Sequence, residues 1–129
     1  MATLEKLMAL PGALAAFEFR GSGELLTHHV GHHGIIDKTV LDLLAHMCAA
    51  DISIATMQAR GWEALTDMHG FYPVRQFTLI GFDWSVIVSG LRREAKKNAG
   101  EALLPPFMGV VVANESADYQ AAYAMLEEE

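Results

Sequence analysis

Hydrophobic and polar positions recur along this chain in two rhythms, and each change of rhythm marks the end of an element. Leu4, Leu7 and Met8 fall at i, i+3 and i+4, so Thr3–Leu10 reads as a short helix capped by the Thr3 hydroxyl and stopped by Pro11-Gly12. From Ala13 to Arg20 the period drops to two, with Phe17 and Phe19 against Glu18 and Arg20, which predicts a strand. Gly21-Ser22-Gly23 has the backbone freedom of a tight hairpin turn, and a second strand runs from Glu24 to about Val30. The helical period returns from about Ile36 to Arg60, with Asp37 at the positive end of the helix dipole and Gly61 as the left-handed stop. A loop of aromatic and turn residues (Trp62 to Pro73) leads to two further strands, Val74–Ile80 and Trp84–Ser89, joined by Gly81-Phe82-Asp83. Leu91 to Leu104, closed by Pro105-Pro106, interrupts the pattern. Phe107–Ala113 is then continuously apolar, as a central strand is, and Asn114-Glu115-Ser116 opens a last helix.

The long helix is the most informative element. At about 100° per residue, Lys38, Asp42, His46, Ser53, Thr56 and Arg60 form one narrow polar stripe. Leu41, Leu44, Cys48, Ile52 and Ala55 gather on one side of it, and Ile36, Val40, Leu43, Met47, Ala50, Ile54 and Met57 on another. The apolar arc spans about 220°, against the roughly 100° that a surface helix needs to cover its own core. Such a helix requires two covers, and in a small domain the simplest second cover is another copy of the chain. The expected dimer interface is therefore Val40, Leu43, Met47, Ala50, Asp51, Ile54 and Met57.

Composition narrows the class. With 129 residues, 52% of them hydrophobic, the chain has the material for one ordered domain, 1–129, carrying a basic insert at about 91–106. A net charge of −7 argues against a nucleic-acid partner, because phosphate neutralisation needs excess Lys and Arg. One cysteine, Cys48, excludes an intrachain disulfide. No uninterrupted apolar run approaches the roughly 18 residues that cross a bilayer, and Met1-Ala2-Thr3-Leu4-Glu5-Lys6 lacks a signal-peptide core. The expectation is a soluble, cytoplasmic protein without membrane insertion.

The order helix, two strands, helix, three strands, helix describes an α+β layer architecture, a five-stranded antiparallel sheet with one long and two shorter helices. This order, with the opening Leu4-Glu5-Lys6-Leu7-Met8-Ala9-Leu10-Pro11-Gly12-Ala13, resembles the roadblock (dynein light-chain) superfamily, related in fold to profilin and longin domains. More narrowly, Phe71-Tyr72-Pro73-Val74-Arg75-Gln76-Phe77-Thr78 and Val112-Ala113-Asn114-Glu115-Ser116-Ala117-Asp118-Tyr119 resemble a family of uncharacterised bacterial roadblock-like proteins. The resemblance implies a homodimer paired through the long helix and a sheet edge, a non-enzymatic scaffold or regulatory subunit of a larger cytoplasmic assembly. It also implies an accessory role beside heterodisulfide-reductase-like sulfur-oxidation proteins, near which some members are encoded. The Gly-Ser-Gly turn and the basic insert depart from the family pattern, which points to the insert as the place of partner specificity.

Several side chains carry potential chemistry. His28, His29, His32 and His33 form two i, i+4 pairs of imidazoles, the ligand type for a divalent metal, and the competing description is a polar loop with its rings in water. A metal- or small-ligand-binding protein built on His28–His33 is thus the rival to the scaffold; no other cofactor is expected. Cys48, mid-helix on an apolar face, reads as a buried inert thiol. Asp51 falls between the two apolar faces, either paired across a dimer seam or wet at a bend. A small enzyme using Asp51, His46 or Cys48 is a third reading, weakened by the lack of a convergent set. Arg92, Arg93, Lys96 and Lys97, four of the nine Lys and Arg residues, suit docking of an acidic partner or a solvated face. Of Trp62, Phe71, Tyr72 and Trp84, at least two are expected to pack beneath the long loop, the others being available as interface anchors. Phosphate loops, dinucleotide fingerprints, nucleophile elbows and paired-Cys motifs are missing from the sequence.

Overall fold

The continuously apolar strand does occupy the middle of a sheet. In the computed structural model, which describes residues 2–32, 36–90 and 106–127, the elements run α1 (Leu4–Met8), β1 (Ala13–Arg20), β2 (Leu25–Val30), α2 (Lys38–Thr66), β3 (Gln76–Ile80), β4 (Trp84–Ser89), β5 (Pro106–Ala113) and α3 (Tyr119–Leu126). All strand pairs are antiparallel, in the order β2-β1-β5-β4-β3. Phe107 through Val112 are buried, apart from Gly109 the apolar residues that a strand covered on both faces needs. Gly109 has a packing reason: a Cβ there would lie 2.8 Å from the Phe17 ring.

Alternation along each strand sorts the side chains into two cores. Ala15, Phe17, Phe19, Val86, Val88, Phe107 and Val111 meet Leu41, Leu44, Ala45, Cys48, Ala49 and Ile52 of α2. Phe17, Phe19 and Phe107 stack with centroids 5.4–5.5 Å apart beneath that helix. On the opposite face, Ala16, Ile87, Met108, Val110 and Val112 meet Leu7 of α1 and Ala122 and Leu126 of α3. Among the described residues the result is three layers, with α2 on one side of the sheet and α1 and α3 on the other.

The observed boundaries differ from the sequence expectation where a distant partner intervenes. Helix α1 is shorter than Thr3–Leu10, although Thr3 caps it as read, accepting from Lys6 N–H at 3.1 Å. Helix α2 begins at Lys38, because the Asp37 carboxylate accepts from Val40 N–H at 2.9 Å and so acts as the cap itself. Ile36 consequently precedes the helix and is buried in the core, which removes it from the outward cluster. Gly61 does not stop the helix; α2 continues to Thr66, and the left-handed cap is Asp67, at φ 57°. A Cβ at Gly61 would meet nothing within 4 Å, so glycine there costs only its usual ~1 kcal/mol of helix propensity. Strand β3 starts at Gln76 rather than Val74, and β5 takes Pro106, the last residue assigned to the insert. The remainder of the insert lies outside the described residues.

Asn114, read from sequence as part of a helix start, instead holds the β3–β4 turn. Its N–H donates to Asp83 O at 2.9 Å, and its Nδ2 donates to Gly81 O and Phe82 O at 2.8 and 3.2 Å. Its Oδ1 accepts from Ser85 Oγ–H at 2.6 Å and from Tyr119 Oη–H at 3.1 Å. Ser85 is only 1% exposed, so Asn114 satisfies a buried hydroxyl while locking the turn to the end of β5. Helix α3 is capped by Asp118. Asn114→Ala should lower unfolding free energy by about 1–3 kcal/mol in urea titration, the usual effect of stranding buried polar groups. A loss no larger than that of the exposed control Gln120→Ala would contradict this account of the turn.

Candidate interaction surface

Helix α2 turns its second apolar face directly away from the sheet. In a single chain Leu43 is 67% exposed, Ile54 55% and Met57 70%, with Val40, Met47 and Ala50 exposed beside them. Asp51 is half-buried at the margin of this stripe and has no hydrogen bond or ion pair among the described residues. All seven residues assigned to the interface from sequence therefore lie on one helix flank. The extension of α2 past Gly61 adds exposed Trp62 and Leu65 to the same helix. By length and composition α2 is apolar enough to cross a bilayer. Asp42, His46 and Asp51 interrupt its apolar runs, so no unbroken stretch in the sequence shows this. In the fold one face of α2 covers the sheet core, as the core helix of a globular domain does.

The apolar stripe continues onto one edge of the sheet. Register pairs Leu79 with Val86 and Phe77 with Val88, which places these side chains on the α2 face. Between α2 and the β3–β4 hairpin lies an open cleft of ≈ 370 Å³, lined by Leu44, Met47, Leu79, Phe82, Trp84 and Val86. Phe82, at the tip of the turn that Asn114 holds, is 100% exposed. Strand β3 is the terminal strand of the sheet, so its outer backbone groups are unpaired within the described chain. Apolar helix, cleft, the aromatic turn tied by Asn114 and the open strand edge form one continuous surface, larger than the interface residues read from α2. The signal for the missed part was an aromatic residue, Phe82, in a hairpin turn that ordinarily holds polar residues.

The other candidates disperse. Strand alternation puts His28, paired with Phe17, on the α2 face and His29, paired with Ala16, on the opposite one. Strand β2 ends at Val30 and His32 follows in a turn, so no strand carries His28 and His32 together. His33 lies outside the described residues, and among those described no three His, Cys, Asp or Glu side chains converge as metal ligands. Arg92, Arg93, Lys96 and Lys97 also lie outside them. Trp62, Phe71 and Trp84 are exposed and Tyr72 half-buried, so the expected burial of two of these beneath the loop is not seen. The reason is that the helix itself consumes Trp62–Thr66, and the shortened loop is held by polar contacts. Glu63 accepts from Tyr72 N–H at 3.2 Å and from His69 at 3.4 Å. The Tyr72 N–H bond above all holds the Glu63 carboxyl below its ordinary range, so this tie weakens on acidification as the carboxylate protonates.

Cys48, His46 and Asp51 do not assemble either. His46 packs beside Gly23 of the β1–β2 turn and its Nδ1 lies 2.8 Å from Asp42 O, whereas Cys48 points into the sheet core. Burial, then the nearby Asp51 carboxylate, pushes the Cys48 thiol up to about 12. Unfolding restores an ordinary thiol pKa of about 8.5. The folded state is thus favoured at neutral pH and loses stability as pH rises past that value. At pH 8, native protein should react with a disulfide reagent at least about a hundredfold more slowly than protein in denaturant, where one thiol titrates at once. Equal rates would show the thiol to be exposed.

Comparison with known proteins fits this geometry. No functionally curated protein matches the chain. Among solved structures, a roadblock/LC7 domain from Streptomyces avermitilis superposes with a TM-score of 0.70 at 14% identity, over 95% of this chain and 84% of that one. The gliding protein MglB of Thermus thermophilus superposes with a TM-score of 0.68 at 15% identity, over 95% and 76%. An MglB with a tetrameric arrangement gives 0.66 at 15% identity, over 96% and 79%. These similarities establish a roadblock fold. Residues 3–98 match the family described as "Uncharacterized conserved protein (DUF2173)", and the chain belongs to that family.

Proposed function

We infer that this protein is a non-enzymatic homodimeric platform, a scaffold or regulatory subunit within a larger cytoplasmic assembly. The observation that carries the reading is the outward face of α2, where Leu43, Ile54 and Met57 are more than half exposed in a single chain. Contiguous apolar patches of this kind on a lone subunit mark association sites. The open β3 edge and the cleft beside Phe82 extend the patch, and the tetrameric arrangement of a fold relative supports an oligomeric use of this architecture. A second copy placed on α2 would cover each chain's stripe with the other's, the self-complementary contact of a twofold dimer. The surface remaining after dimerisation would engage a further protein, and on a chain of net charge −7 the Arg92, Arg93, Lys96 and Lys97 cluster suits an acidic one. The finer assignment, to an assembly of the heterodisulfide-reductase-like sulfur-oxidising type, rests on the resemblance in Phe71–Thr78 and Val112–Tyr119.

Sedimentation velocity tests the dimer. Wild-type protein should sediment as a dimer across the micromolar range, and Leu43→Asp/Ile54→Asp as a monomer. Far-UV circular dichroism of the variant should be unchanged, because both positions are exposed in the lone chain and a carboxylate there stays hydrated unless a partner buries it. A wild type that is monomeric at high micromolar concentration, or that floats with lipid vesicles instead of self-associating, would contradict the reading. So would a variant that remains dimeric.

A further inference from the structure

A second cleft flanks α2 on its polar side, bounded by Gly21 of the β1–β2 turn, the 72–74 segment and the start of β5. Its volume of ≈ 360 Å³ falls at the lower end of the range for small-molecule sites. Ile52, Val74 and Phe107 supply apolar walls, while Ser53, Thr56 and Arg60 of α2 bring hydroxyls and a charge to its rim.

Arg60 is the unusual member. Of the three arginines among the described residues, Arg20 pairs with Glu24 at 3.1 Å and Arg75 with Glu127 at 3.4 Å. Arg60 has no carboxylate partner among the described residues, although the chain carries an excess of acids. Its guanidinium lies over the Tyr72 ring, 4.9 Å from the centroid, and Nη2 donates to Tyr72 Oη at 2.6 Å. Ring and hydrogen bond together hold the planar fork in place, so little side-chain freedom remains to be lost when a ligand arrives. One of five N–H donors is engaged in that bond; Tyr72 Oη accepts it and keeps its own proton to donate. The Ser53 and Thr56 hydroxyls make no side-chain hydrogen bond among the described residues.

We propose that this cleft binds a small carboxylic acid with a compact apolar body. The carboxylate lies on Arg60 and the Tyr72 hydroxyl, and the body lies against Ile52, Val74 and Phe107. A guanidinium matches a carboxylate with two parallel charge-assisted bonds. Arg60 is the one cation among the described lining residues, and the Gly21-Ser22-Gly23 turn beside it leads into a strand rather than a helix N-terminus, so the described lining suits a monoanion better than a phosphate dianion. The apolar walls give the acid's body a site that a freely hydrated arginine would not provide. Met57 of the outward stripe also lines this cleft, so the site adjoins the proposed self-association surface, while the groups that would hold the carboxylate, Arg60 and Tyr72, lie outside that stripe.

Amide NMR spectra of the ¹⁵N-labelled 129-residue chain, titrated with hexanoate and phenylacetate beside hexanol and phenylacetamide, provide the test. Both acids should give saturable shifts concentrated at Thr56, Arg60 and Val74, with the uncharged analogues at least tenfold weaker. Arg60→Met should weaken the acids at least tenfold while the rest of the spectrum is retained. Arg60→Lys, which keeps the charge and loses the fork, should fall between them, and it serves as the reading if the Met variant fails to fold. Uncharged analogues binding as well as the acids, Arg60 variants binding as wild type, or no saturable shift would each overturn the proposal.

Discussion

An α-helix lying on a sheet buries one side of its circumference, and α2 has apolar residues on two. Leu41, Leu44, Cys48 and Ile52 complete the core beneath it, while Leu43, Met47, Ile54 and Met57 point the other way into solvent. Each such side chain gains about 1.5–3 kcal/mol when fully buried. That term is comparable with a fair part of the stability of a small domain, and a lone chain forgoes it. The neighbouring features act in the same direction. Strand β3 lies at the sheet edge, and the Asn114 clasp fixes the turn that presents Phe82. Interface anchors of this kind bind best when they are already rigid, since less conformational freedom is lost on contact.

The two sides of α2 differ in chemistry. On the β3 side the cleft is lined by Leu79, Phe82 and Trp84 and merges with the outward stripe, which favours another protein surface. On the polar side Ser53, Thr56 and Arg60, with Met57 of the outward stripe, border a second cavity whose cation is oriented by Tyr72 and lacks a carboxylate partner among the described residues. The Glu63 tie to Tyr72 N–H links the end of α2 to the segment that shapes the second cavity.

Much of this was legible in local pattern. The strand alternation of Phe17 and Phe19, the unbroken apolar run of β5 and the double-faced periodicity of α2 each depend on residues near one another in sequence, and each appears in the fold. What escaped depends on partners far along the chain. Asn114 looks like a helix opener until Gly81, Phe82 and Ser85, some thirty residues away, are brought to it. Gly61 looks like a stop because a glycine's effect is set by what surrounds it, and here nothing crowds the helix. The four-residue spacing of His28 and His32 assumes one continuous element, whereas the strand ends between them. Arg60 falls on the polar stripe by its spacing, but its orientation by Tyr72 arises only when the loop folds back.

The claim on which the rest turns is that a second copy of the chain covers the outward face of α2. Mixing ¹³C-methyl-labelled and unlabelled chains and recording isotope-filtered NOEs addresses it directly. Intermolecular cross-peaks from the methyl groups of Leu43, Met47 and Ile54, with protection of those methyls from a soluble paramagnetic probe, are the predicted result. Methyl groups that show no contact across chains at millimolar concentration, and that relax freely in the presence of the probe, would contradict it.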